Sequence, residues 1–136
     1  MFSWLFRRKK EPAPITIGVQ DLFELIERQL NTVCPIRLAD RSFTCISPDN
    51  AWQIATKAKT TGYSFEKWDC DDIAMAVAHQ AHLEQKCLAI GIAWTVSHAF
   101  NLFVSPEKEI WLLDATNGAP YIAREVPYRD VTLVLF

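Results

Sequence analysis

The stretch Trp68-Asp69-Cys70-Asp71-Asp72-Ile73-Ala74-Met75-Ala76-Val77-Ala78-His79-Gln80-Ala81 decides how the rest of the chain is read. Asp69 is a residue that caps a helix, and Asp71 and Asp72 add negative charge in a first turn, where the helix dipole favours it. The Ala-rich body that follows predicts a closely packed, central helix. Upstream, Val19, Leu22, Phe23, Ile26 and Leu30 recur at helical spacing, so Gln20 to Asn31 reads as an amphipathic helix. A second, shorter helix is expected after Ser47-Pro48-Asp49-Asn50, with Trp52, Ile54 and Ala55 inward, ending at Thr60-Thr61-Gly62. Between these helices Cys34 to Ile46 reads as irregular or as a weak strand, and Pro35 argues against a central one.

After Gln85-Lys86 the texture changes to strands: Cys87 to Val96, His98 to Val104, Glu109 to Ala115 and Asp130 to Phe136, with Ser105-Pro106-Glu107-Lys108 as a hairpin turn. Helices followed by an antiparallel meander make an α+β domain, with N-terminal helices and a central helix packed on the sheet. Residues 15–136 are read as that single domain. Residues 1–14 form a basic and aromatic tail with a Pro-containing linker.

The chain has 136 residues, 50% of them hydrophobic and only 4 of them Gly, which excludes disorder, collagen and a phosphate-cradling Gly-rich loop. Lys and Arg total 14 against 16 Asp and Glu, and Arg7, Arg8, Lys9 and Lys10 supply 4 of the 14, leaving 10 against 16 in the body. An acidic body without a basic cluster argues against nucleic acid as a partner. Cys34, Cys45, Cys70 and Cys87 are isolated, with no C-x-x-C pair, so reduced thiols and a cytoplasmic location are expected. Phe2, Trp4, Leu5 and Phe6 ahead of the basic run offer peripheral membrane contact through residues 1–10, although the run is too short to span.

Three residues carry candidate chemistry. Cys70 falls in the first turn of the central helix, where unpaired N–H groups and the dipole favour a thiolate. His98 begins an apolar strand and Asp114 ends the next, so a hairpin brings the ends that carry them side by side. The carboxylate can then orient one imidazole nitrogen and leave the other to take the thiol proton.

Trp68-Asp69-Cys70-Asp71-Asp72, Ser97-His98-Ala99-Phe100-Asn101 and Glu109-Ile110-Trp111-Leu112-Leu113-Asp114-Ala115-Thr116 together resemble the core of the transglutaminase-like superfamily, relatives of the papain fold. Within it they look most like bacterial transglutaminase-like cysteine proteinases and the papain-like domain of some mushroom lectins. The resemblance covers about residues 60–118. It implies a papain-like or transglutaminase-like fold, with Cys70 as nucleophile, His98 as general base and then acid, and Asp114 as the residue orienting His98. The implied function is a small cysteine peptidase or amide acyl-transfer enzyme with a thioester intermediate, a peptide or protein substrate and no cofactor. Its oxyanion donors would be the Cys70 N–H and a side chain from Asn50, Gln53, Tyr63 or Trp68, with Asp69 alongside. The chain lacks the Gly that often precedes the nucleophile in transglutaminases, which leaves hydrolysis and acyl transfer both open.

Other readings stand beside these. Asp69, Asp71 and Asp72 offer oxygen ligands for calcium, although capping alone accounts for them. His79, His82 and Cys87 offer three zinc ligands without an obvious fourth, and exposed helix histidines explain the first two. Trp94 and Trp111 read as core or cleft wall, and Asn101 as a surface or supporting group. The alternative to an enzyme is a module that keeps the fold without turnover and acts by binding, as an accessory protein of a phage or mobile element would.

Overall fold

The interior is organised around one strand whose residues are all buried. This computed structural model describes residues 12–30, 33–58, 69–117 and 119–136. In chain order the elements are β1 (Thr16–Gly18), α1 (Val19–Leu30), β2 (Ile36–Arg37), β3 (Ser42–Thr44), α2 (Pro48–Ala58), α3 (Cys70–Glu84), β4 (Ile90–Trp94), β5 (Ala99–Val104), β6 (Ile110–Asp114), β7 (Tyr121–Ala123) and β8 (Leu133–Leu135). The fold is α+β. Six strands form the main sheet in the order β2-β8-β4-β5-β6-β7, and β1 pairs with β3 in a small ribbon.

All six residues of β5 are buried because the sheet is covered on both faces. Phe100, Leu102 and Val104 join the core cluster that contains Leu22, Leu25, Ile26 and Leu30 of α1. Their neighbours Ala99 and Phe103 pack in clusters supplied by α2 and α3. Alternation along the strand assigns successive side chains to opposite layers, so α1 lies on one side of the sheet and the α2–α3 pair on the other.

The helices are amphipathic for identifiable reasons. Leu22, Leu25, Ile26 and Leu30 repeat at steps of three and four, which lines them up along α1. In α2 the buried residues are Ala51, Ile54 and Ala55, and Trp52, expected inward, is half exposed because one residue's rotation of about 100° turns it off that face. The Ala-rich body of α3, expected to be mostly buried, is buried along one face. Ile73, Ala74, Val77 and Ala81 face the sheet and α2, whereas Met75 and Leu83 are exposed.

The expected antiparallel meander is corrected to a mixed sheet. β4, β5 and β6 pair antiparallel in sequence, but β8 joins the other edge of β4 and carries β2 parallel to itself. β2 follows Pro35 at the sheet's edge, where a missing N–H does no harm. β1 and β7 were not anticipated, since three-residue strands are too short to show an alternation. Among the described residues no helix is long and apolar enough to cross a membrane. The aromatic and basic run 2–10 lies outside the described residues, as does Trp68.

Two polar or small residues lock the layers together. Asn101 is 1% exposed, not a surface group, and its Nδ2 donates to the Ala74 carbonyl of α3 at 3.0 Å and to the Gly91 carbonyl of β4 at 3.1 Å. At Gly91 the end of β8 and the residue after it pass close against β4. A Cβ there would collide with the Leu135 carbonyl oxygen and the Phe136 ring. Replacing Gly91 by Ala is therefore expected to lower the unfolding free energy by about 1–3 kcal/mol, the cost of overpacking, read as a lower midpoint in urea. A Gly91→Ala variant as stable as the parent would show that this close approach does not exist in solution.

Candidate functional site

The segment from Thr95 to His98 is a side-chain-supported turn that places the imidazole. The Thr95 hydroxyl oxygen accepts from the His98 N–H at 3.0 Å and from the Ser97 N–H at 3.2 Å, while the Thr95 N–H donates to the His98 carbonyl at 2.8 Å. A threonine preceding the histidine by three residues is a local turn motif, so this support was present in the sequence and was missed. On the neighbouring strand β6, Asp114 Oδ1 accepts from the Thr116 N–H at 3.0 Å, which turns the carboxylate's other oxygen toward His98. His98 Nε2 and Asp114 Oδ2 are 2.7 Å apart.

The pair is largely sheltered, with side-chain exposures of 21% for His98 and 14% for Asp114. The His98 ring stacks over Phe100 with centroids 5.9 Å apart and meets Tyr128 at 5.6 Å, and Phe100 and Tyr128 stack on each other at 4.5 Å. Tyr128 belongs to the irregular segment between β7 and β8, and nothing in its local sequence marked it as part of the site. Burial raises the Tyr128 hydroxyl above its ordinary range, and the charge of Asp114 raises it further. Burial also pushes the Asp114 carboxyl up, but the bonds from His98 and Thr116 and the charge of His98 outweigh it and hold the group below its usual value.

Cys70 occupies the first position of α3, as its flanking acids predicted. The Asp69 N–H donates to Asp72 Oδ2 at 3.4 Å in a capping box. The thiol is half buried and packs in the apolar cluster of Ala74, Ala78, Ile92, Trp94 and Ala99. Ala99 belongs to this cluster and is the immediate neighbour of His98, so the two sites adjoin. Among the described residues, however, the side-chain hydrogen bonds of His98 and Asp114 run to each other and to Thr116, and none joins either side chain to Cys70.

The supporting residues expected around Cys70 separate. Gln53 lines a cavity with Glu84 and Gln85, at the C-terminal end of α3. At 1.5 Å per residue that end lies about 20 Å from Cys70 along the helix, which removes Gln53 from the neighbourhood of the thiol. Asn50 lines the same cavity. Trp68 and Tyr63 lie outside the described residues. Asp69 does sit beside Cys70, and its carboxyl is raised first by a side-chain hydrogen bond with Asp71, then by burial and by the charges of Asp71 and Asp72. The oxygens of Asp69, Asp71 and Asp72 lie within 4.8 Å of one another, as the calcium reading requires, but their bonds to the helix start and to each other already explain the cluster. Trp94 walls the Cys70 cluster, and Trp111 stacks on Phe103 at 6.0 Å with the Arg124 guanidinium 5.9 Å from its ring.

No family model matches the chain, and no curated protein does. Solved structures do. One is the "PSL1a-E64 complex", with 18% identity and a TM-score of 0.73, covering 90% of this chain and 51% of that one. Another is Polyporus squamosus lectin bound to the human-type influenza-binding epitope Neu5Aca2-6Galb1-4GlcNAc, with 18% identity, a TM-score of 0.71 and coverage of 90% and 50%. The chain shares its fold with about half of a lectin chain. It spans about half the length of the lectin chains it matches.

This corrects the family expectation. The neighbours carry a lectin's name and not that of a transglutaminase-like cysteine proteinase, so that assignment is withdrawn. With it go the peptidase or acyl-transfer activity, the description as a hydrolase or thiol protease with a catalytic triad, and the peptide substrate. At 18% identity the likeness shows the fold alone.

The lowered Asp114 group makes a pH prediction. Because its folded value lies below its unfolded one, its contribution is fully present above about pH 4 and disappears as pH falls through the folded value. Wild-type unfolding free energy should therefore fall below about pH 4 with an extra slope of up to ~1.4 kcal/mol per pH unit that Asp114→Asn lacks. Urea unfolding at a series of pH values measures this, and identical slopes in the two proteins would refute it.

Proposed function

We propose that the chain is a ligand-binding module without turnover, and that it binds at the surface around the His98–Asp114 pair, beside the start of α3. The observation that carries this reading is the His98 imidazole, oriented by Asp114 and held against Phe100 and Tyr128. A helix bearing a first-turn cysteine against a sheet bearing a His–Asp pair is the layout expected of a papain-like fold; here that layout serves as the frame of a binding surface. Oriented polar groups beside aromatic faces suit a ligand that combines hydroxyls or amides with an apolar side.

Charge narrows the ligand class. Asp114 is held below its usual range, and Asp69, Asp71 and Asp72 cluster at the start of α3 around Cys70. An anionic ligand meets like charge there. The sialylated epitope bound by the Polyporus squamosus lectin is therefore a poor fit for this surface, and a short neutral glycan is the better one. The acidic body of the chain disfavours nucleic acid by the same argument.

Calorimetric titration with N-acetyllactosamine and with its sialylated counterpart tests this. Binding of the neutral sugar is expected to exceed that of the acidic one, and His98→Ala should weaken it by about 10-fold, or ~1.4 kcal/mol. Absence of binding to neutral glycans, or turnover of an amide or thioester abolished by Cys70→Ala, would overturn the reading.

A further inference from the structure

The cavity that holds Asn50 and Gln53 lies at the opposite end of α3 from Cys70 and has a volume of about 230 Å³. Its lining has two textures. Buried Ile46 and Ile54, with half-buried Leu88, supply an apolar part, and exposed Asn50, Gln53 and Gln85 supply a polar one.

The polar part is neutral in balance. Glu84 borders the cavity, but Lys57 Nζ donates to its Oε1 at 2.9 Å and Gln80 Nε2 to the same oxygen at 3.4 Å. Three carboxamides remain, each with a donor and an acceptor. The Ser47 hydroxyl caps the first turn of α2 by accepting from the Asn50 N–H at 3.2 Å, so the Asn50 carboxamide is not spent on the helix start. Among the described residues no hydrogen bond engages the side chain of Asn50 or Gln53, and Gln85 makes one long contact, its Nε2 donating to Thr44 Oγ1 at 3.5 Å. Asn50 and Gln53 are three residues apart and so are neighbours on one face of α2, whereas Gln85 comes from the end of α3.

We propose that this cavity binds an acetamido group, with its methyl against Ile46, Ile54 and Leu88 and its amide between the carboxamides of α2 and Gln85. A trans secondary amide points its N–H and its C=O in opposite directions, so it is held best from two elements at once. A carboxamide can meet either end, because it both donates and accepts. Among the described residues no aromatic ring lines the cavity, which therefore lacks a platform for the flat face of a sugar. Its volume is also below that of pockets for whole drug-sized ligands, about 300 Å³ and upward, so it suits one substituent. An N-acetylhexosamine and an N-acetylated peptide end both carry this group. The site uses none of Cys70, His98 and Asp114, and so stands or falls separately from the surface proposed above.

Amide chemical shifts of the full chain, followed during titration with N-acetylglucosamine, with N-acetylalanine methylamide and with glucose, test this. The acetamido probes are expected to move the Ile54 and Leu88 signals, and glucose is not. Movement with the sugar alone or the peptide alone would support the site and identify the source of the group. Gln53→Ala, a change at an exposed residue, should weaken the response by at least about 10-fold, and His98→Ala should leave it intact. No movement with either acetamido probe, equal movement with glucose, full affinity in Gln53→Ala, or loss of the response in His98→Ala would each overturn the proposal.

Discussion

The buried Asn101 carboxamide is the constraint on which the arrangement depends. A polar side chain inside an apolar sandwich is tolerable only if its donors are satisfied, and here they are satisfied by a helix carbonyl and a strand carbonyl at once. That requirement sets the depth and height of α3 on the sheet, since Ala74 must stand opposite Gly91. Cys70 lies one helical turn before Ala74, and His98 lies three residues before Asn101. Cys70 and His98 are therefore placed by the same amide, from opposite directions along the chain.

Around that anchor the site is assembled from local turns. Thr95 presents His98, and Thr116 presents Asp114, each through a hydroxyl or amide within three residues in sequence. The strand pairing of β5 with β6 then converts two local geometries into a 2.7 Å contact between residues sixteen apart. Tyr128 arrives from farther along the chain and closes the aromatic side. The carboxylate and the turn at Thr95 are tied to backbone N–H groups, and Phe100 and Tyr128 shelter the imidazole.

Much of this was legible. The capping acids before Ile73 marked the start of α3, the step of three and four residues in Leu22, Ile26 and Leu30 marked α1, and the hairpin turn at Ser105-Pro106 implied that His98 and Asp114 would meet. Other features had no local signal. Trp52 looks like a core residue until the Ala51–Ile54–Ala55 face is known, Asn101 looks like a surface residue on a strand that is covered twice, and Gln53 was assigned to the wrong end of α3 because helix orientation is a tertiary fact. The enzymatic reading failed for a related reason: a Cys at a helix start and a His–Asp pair on paired strands describe a framework, and a framework does not specify what is done within it.

The placement of β8 has a consequence for how the molecule forms. It lies between β2 and β4, pairing residue 134 with residue 36 on one side and with residue 93 on the other. β2 consequently has no place in the main sheet until the strand nearly a hundred residues later has docked. Closing so large a loop is entropically costly and delays assembly relative to the local β4–β5–β6 meander. The meander can order early and offers α1 its packing surface on β5 and β6, whereas β2 must wait for the distant strand, so the sheet's β2 edge is completed last.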